Sequence, residues 1–109
     1  MRSDDRNRLR HMLDATNEAL EFIHAKNRSD LDTDRMLVLS LVKELEIIGE
    51  AANKVSAETR SQSNAIPWQD ISGMRNRLIH AYFDVDLDVV WSTVTKELPS
   101  LKAELDRLL

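Results

Sequence analysis

Apolar residues recur at threes and fours along most of the chain, the period of an α-helix with one face buried. Leu9, Met12, Leu13, Thr16, Ala19, Leu20 and Ile23 mark a first helix from about residue 4 to 26, capped by Ser3 or Asp4, with Asp4 and Asp5 at the positive end of its dipole. After the polar connection Asn27-Arg28-Ser29-Asp30, Asp30 or Asp32 caps a second, longer helix running to about Glu58. Its apolar positions, from Met36 and Leu37 through Leu41, Leu45 and Ile48 to Val55, cover more than one face. Such a helix is touched on several sides, and part of its surplus apolar surface is a candidate subunit interface. Gly49, followed by Ala51 and Ala52, makes a smooth patch where another helix can approach closely.

The stretch from Thr59 to Ile66 is polar. Pro67 suits the first turn of a third helix, which Trp68 and Ile71 anchor by burial. Asp84, Asp86 and Asp88 alternate like the start of a calcium loop, but Val89 stands where the required glycine would be and Thr95 where the bidentate glutamate would be. Asp86 as a helix cap explains the acids more simply. Leu87, Trp91, Val94, Leu98, Leu101, Leu105 and Leu108 then hold one stripe to the end of the chain. Pro99 keeps that phase while interrupting the hydrogen bonds, which predicts a kink or a fresh helix start there. The pattern predicts an all-α, up-and-down bundle of four to five helices, built as a single domain over residues 1–109.

Composition narrows the chemistry. With 42% hydrophobic and 31% charged residues the chain is too apolar for disorder, and two Gly and two Pro fit a helical protein. Cysteine is absent, which removes disulfides, thiolate catalysis and Cys-based zinc sites. No apolar run is long enough to cross a bilayer, and the N-terminus lacks the apolar core of a signal peptide, so no membrane association and a cytoplasmic location are expected. A formal charge of −4 argues against broad, nonspecific nucleic-acid binding, though Arg75 and Arg77 leave room for a local basic cleft that a symmetric partner would double. His11 and His24 lack a helical metal-site spacing and read as surface residues.

The remaining candidate chemistry is concentrated in Met74-Arg75-Asn76-Arg77-Leu78-Ile79-His80-Ala81-Tyr82. If the third helix continues through it, Met74, Leu78 and Ala81 share the apolar side, while Arg75, Asn76 and His80 span an arc of roughly 140° beside it. Asn76 and His80 would then be neighbours, and Tyr82 would return to the arginine's side. Glu46 and Glu50 on the second helix either neutralise Arg75 or are ordinary surface acids.

This segment resembles the Arg-x4-His-x-Tyr motif of HepT-type toxins, a branch of the HEPN superfamily of small helical ribonucleases. Ile47-Ile48-Gly49-Glu50-Ala51-Ala52, Ile66-Pro67-Trp68, the run from Ile71 to Tyr82 and the segment from Leu87 to Trp91 are similar to family landmarks in family order. The resemblance implies a HEPN-like bundle and a toxin that cleaves RNA without metal or cofactor, in a composite site at a homodimer cleft. It assigns catalysis to Arg75, for phosphate charge, and His80, for proton transfer, with Asn76 as a polar support; from their places in the chain, Glu46, Glu50 and Arg77 are candidate neighbours of that site. It further implies a cognate nucleotidyltransferase antitoxin that attaches AMP to Tyr82. The alternative is a noncatalytic helical subunit that binds nucleotides or partners such a transferase.

Overall fold

The computed structural model describes residues 1–81 and 84–109. Its helices are α1 (Ser3–Phe22), α2 (Asp30–Thr33), α3 (Arg35–Asn53), α4 (Ala57–Arg60), α5 (Trp68–Ser72) and α6 (Met74–Leu78), followed by α7 (Leu87–Ser92), a π-helical turn (Thr93–Glu97) and α8 (Leu98–Leu108). Between α6 and α7 lie two short antiparallel strands, β1 (Ile79–Ala81) and β2 (Asp84–Val85). With 75% of the structure helical, this hairpin leaves the fold class all-α and consistent with a HEPN-like bundle.

One core joins the elements: Leu9, Met12 and Ala19 of α1, Leu41, Leu45 and Ile48 of α3, Met74 and Leu78 of α6, and Val90, Val94, Leu98 and Leu105 of the C-terminal rod, which runs from α7 through the π-helical turn to α8, are essentially inaccessible to water. Asp5, near the start of α1, reaches Ser56 just beyond the end of α3, so the two longest helices run antiparallel. Its carboxylate accepts from the Ser56 N–H at 3.0 Å, the Ser56 hydroxyl at 2.6 Å and the Thr59 hydroxyl at 2.7 Å. These donors, the Ser56 hydroxyl foremost, hold its pKa down to about 2.

Several helix ends differ from the periodic expectation. α1 is flanked by Arg2, without a side-chain cap from Ser3 or Asp4, and it stops at Phe22. His24, Ala25, Lys26 and Asn27 are all exposed and offer no apolar contact to hold a further turn, and Ala25 turns the chain with φ 60°. Asp30 opens the separate turn α2, and it is Asp34 that caps α3 by accepting from Leu37 N–H at 3.0 Å. α3 ends at Asn53 because Ser56 starts a new helix, its hydroxyl accepting from Thr59 N–H while donating to Asp5.

Gly49 does mark a close approach. A Cβ there would stand 2.9 Å from the carbonyl oxygen of Ile71 and 3.3 Å from Met74 Cβ, so α5 and α6 pack on α3 at a distance only glycine permits. Trp68 serves packing: its indole donates to the carbonyls of Ser63 and Arg60, at 3.0 and 3.2 Å, beneath the Arg60 guanidinium.

At Pro99 the expected interruption takes the form of the π-helical turn just before it, with Pro99 in the first turn of α8. A proline cannot donate to the preceding turn and its ring crowds the carbonyl four residues back; the wider turn absorbs both. Thr93 and Thr95 hydroxyls donate back to the Val89 and Trp91 carbonyls at 2.7 Å, which loosens the helix at the same place.

Candidate active site

The helix carrying the Arg/His segment is shorter than its apolar phase suggests. It breaks at Gly73 and ends at Leu78, where Ile79 takes extended angles (φ −122°, ψ 112°) and enters β1. Ile79 pairs with Val85 and Ala81 with Asp84, and the N–H of Asp86 donates to the Leu78 carbonyl at 2.8 Å, closing the hairpin onto the last turn of α6. Asn76 and His80 are therefore not neighbours on one helix face, as a continuous helix would make them. Strand alternation instead turns half-buried Ile79 toward the core and leaves His80 exposed. Tyr82 and Phe83 lie outside the described residues, so the expectation for Tyr82 is not addressed by this geometry.

Arg75 and Asn76 are both exposed on α6. Among the described residues Arg75 has no ion-pair partner, whereas Arg77 is bound bidentately by Glu97 of the π-helical turn, at 3.2 and 2.7 Å. The hydrogen bonds that Arg77 donates to Glu97 raise the Arg77 pKa further and fix α6 to the C-terminal rod. Of the two arginines, Arg77 is thus engaged in the fold, and Arg75 is exposed. Glu46 is half-buried and Glu50 exposed, the latter beside Arg8, His11 and Lys54; among the described residues neither forms an ion pair with Arg75.

The imidazole of His80 has a partner that sequence reading assigned only to capping. Its Nε2 lies 3.0 Å from Oδ2 of Asp86, while Oδ1 of the same carboxylate accepts from Val89 N–H at 3.1 Å and caps α7. The hydrogen bond to Asp86 raises the His80 pKa above its usual 6.5, helped by the charges of Asp86 and Asp84, and lowers that of Asp86. The capping role of Asp86 was legible; the histidine contact depends on the hairpin, whose one sequence signal is the β-branched Ile79 and Val85 flanking the connection.

A groove of about 500 Å³ lies elsewhere, lined by Ile66, Ile71, Met74, Leu98 and Leu101, and does not include Arg75, Asn76 or His80. Arg75, Asn76 and His80 are instead exposed at the surface, on α6 and β1.

A family model described as Ribonuclease HepT-like matches residues 12–108, a span that contains the α6–α7 hairpin and every candidate residue. The chain belongs to the HepT-like ribonuclease family. It is 36% identical over 101 residues to "Putative RNase TTE0752" of Caldanaerobacter subterraneus subsp. tengcongensis, covering 93% of this chain and 90% of that protein. It is 38% identical over 95 residues to "Probable ribonuclease HepT" of Thermococcus cleftensis, covering 84% and 86% of the two chains. "Gamma-glutamylcyclotransferase and putative RNase MJ0434" of Methanocaldococcus jannaschii is 36% identical over 109 residues, and there this HepT-like chain spans 49% of the longer protein. No solved structure matches it.

Among the described residues, no helix of the HepT-like chain is long and apolar enough to cross a membrane.

Proposed function

We propose that residues 1–109 form a single HEPN-like domain that acts in the cytoplasm as the toxin of a toxin-antitoxin pair, cleaving RNA without a metal in a site shared by two copies. The observation that carries this reading is the contrast within one short helix of a HepT-like ribonuclease. Arg77 is neutralised by Glu97, while Arg75 is exposed and has no ion-pair partner among the described residues, just before a strand that presents His80.

Metal-free cleavage needs a base for the 2′-hydroxyl, an acid for the departing 5′-oxygen and positive charge for the crowded phosphate. One chain supplies a single histidine here. A second copy facing it across α6 and the hairpin supplies the other, so that one His80 takes the proton of the 2′-hydroxyl and its counterpart gives a proton to the leaving oxygen. Arg75 from each copy stabilises the phosphate, and Asn76 orients it. Arg77 supports the site by holding α6 to the C-terminal rod. The products are a 2′,3′-cyclic phosphate and a 5′-hydroxyl.

On the same reading Tyr82, the sole tyrosine of the chain, is the point of control. A cognate nucleotidyltransferase joins AMP to its hydroxyl, and the added phosphate competes with RNA for the arginines.

The test is cleavage of a labelled RNA in excess EDTA by the wild-type protein and by Arg75→Ala and His80→Ala, with dimerisation followed by sedimentation and Tyr82 checked by mass spectrometry. Wild-type cleavage to cyclic phosphate ends, lost by at least a hundredfold in both variants while they remain folded dimers, is the expected result. An unmodified wild-type protein that cleaves none of several RNAs would favour the noncatalytic partner subunit instead.

A further inference from the structure

Asp86 is the best-fixed polar side chain next to the Arg/His segment. Its backbone N–H is tied to the end of α6 through the Leu78 carbonyl at 2.8 Å. One carboxylate oxygen is held by the first turn of α7, through Val89 N–H at 3.1 Å. The other oxygen meets His80 Nε2 at 3.0 Å. Both ends of the carboxylate are therefore committed, and the ring it touches is on the opposite strand of a hairpin that the Asp86 N–H itself closes.

A carboxylate only accepts hydrogen bonds, so the contact is made when the proton sits on Nε2. In the neutral imidazole that leaves the lone pair on Nδ1. We propose that Asp86 is a positioning residue for His80: by holding Nε2–H it fixes the tautomer and makes Nδ1 the nitrogen that exchanges a proton with the RNA. This rests on the ribonuclease reading above and deepens it by naming which nitrogen reacts and what orients it.

The balance of the step is simple. The Nδ1 lone pair of one copy accepts the 2′-hydroxyl proton as the 2′-oxygen bonds to phosphorus, and the Nδ1–H of a protonated copy passes its proton to the 5′-oxygen as the P–O5′ bond breaks. In both, Asp86 keeps Nε2–H and stabilises the imidazolium without taking a proton.

The charged groups around the ring favour this assignment. Asp86 and Asp84 both support the protonated form. Arg77 on α6 is taken up by Glu97, and Asp88 on α7 by Arg28 at 2.8 Å, while Arg75 stands at the other end of α6 from the strand. A bare cap would need only Oδ1. The second oxygen on His80 is what a purely structural role leaves unexplained.

Two substitutions separate the roles. Asp86→Ser keeps a good helix cap but is too short to reach the ring. Asp86→Asn keeps the cap through its amide oxygen and turns the amide NH2 toward Nε2, which forces the ring proton onto Nδ1. Nitrogen-15 NMR of the imidazole reads both the titration midpoint and the tautomer of His80, with folding checked by thermal melts. The expected results are a lower His80 midpoint in both variants and a reversed tautomer in Asp86→Asn. RNA cleavage should fall by about a hundredfold, with KM little changed and the histidine limb of the pH profile moved down.

An unchanged midpoint and tautomer in Asp86→Asn would overturn the assignment, as would cleavage within about twofold of wild type despite a reversed tautomer. If the wild-type protein cleaves no RNA, the ribonuclease reading fails on its own account. The tautomer in Asp86→Asn then still decides whether Asp86 holds the ring.

Discussion

Two arginines separated by one residue do different work on α6. Arg77 shares a fork-to-fork contact with Glu97 while both side chains remain partly exposed, at 33% and 41%. Solvent screens such a pair, so Arg77→Ala should cost about 0.5–1 kcal/mol by urea denaturation. Any loss of cleavage it causes should follow from displacement of α6. Arg75→Ala should leave the urea midpoint where it is and remove most of the cleavage, since Arg75 has no ion-pair partner among the described residues to lose. If Arg75→Ala instead lowers stability while Arg77→Ala abolishes cleavage at unchanged stability, the two assignments must be exchanged. The residue types were legible from sequence; what separates them is Glu97, twenty positions away and brought in only by the fold.

At the scale of elements, Gly49 supplies the clearest test of why α6 stands where it does. Helix propensity alone makes Gly49→Ala favourable by about 1 kcal/mol. The new Cβ would meet the backbone oxygen of Ile71 at 2.9 Å, and a carbonyl in α5 cannot swing aside as a side chain can. The expected outcome is a net loss of about 1–3 kcal/mol on urea melts, with reduced cleavage as α5 and α6 shift. A stabilised variant would show that the contact is slack. The sequence pattern announced this close approach, the apolar stripes of the long helices and the capping by Asp86, because each is written in local spacing. It overextended α1, α3 and the Arg/His helix, because their ends are decided by partners that spacing does not contain. Asp5 captures Ser56 from a different helix, and Asp86 N–H captures the Leu78 carbonyl. A hairpin of three and two residues is also too short for any periodicity to announce. Arg75 and His80 could therefore be singled out as candidates from the sequence, whereas the Asp86 contact could not.

For the whole molecule, stability against pH is set by groups that the fold moves in opposite directions. Asp5 is depressed from its usual 3.8 to about 2, so its contribution is present above the ordinary carboxylate range and is lost as pH falls through about 2. Glu44 sits on α3, only 5% exposed, and among the described residues no donor meets its Oε2. Burial, then the neighbouring Glu18 carboxyl of α1, pushes it from 4.5 up to about 7. The unfolded chain ionises that group first, so the folded state loses stability as pH rises from 4.5 through about 7. His80, raised by Asp86, acts in the same sense: its contribution is full below 6.5 and is lost as pH rises through its folded value. The melting temperature contributed by these groups should thus be highest around pH 4 to 5, with separate limbs on either side. Glu44→Gln, which keeps the shape without the charge, should flatten the upper limb and stabilise the protein at pH 8 by roughly 1–2 kcal/mol. Asp5→Asn should leave that limb alone and flatten the lower one. Because Glu44 and Glu18 lie on the α1–α3 seam, replacing His80 should remove only the part of the upper limb that His80 adds above pH 6.5, and leave the fall that begins at about 4.5 in place. A Glu44→Gln protein whose melting temperature still falls between pH 5 and 8 as steeply as wild type would mean that the seam is not where this protein feels pH.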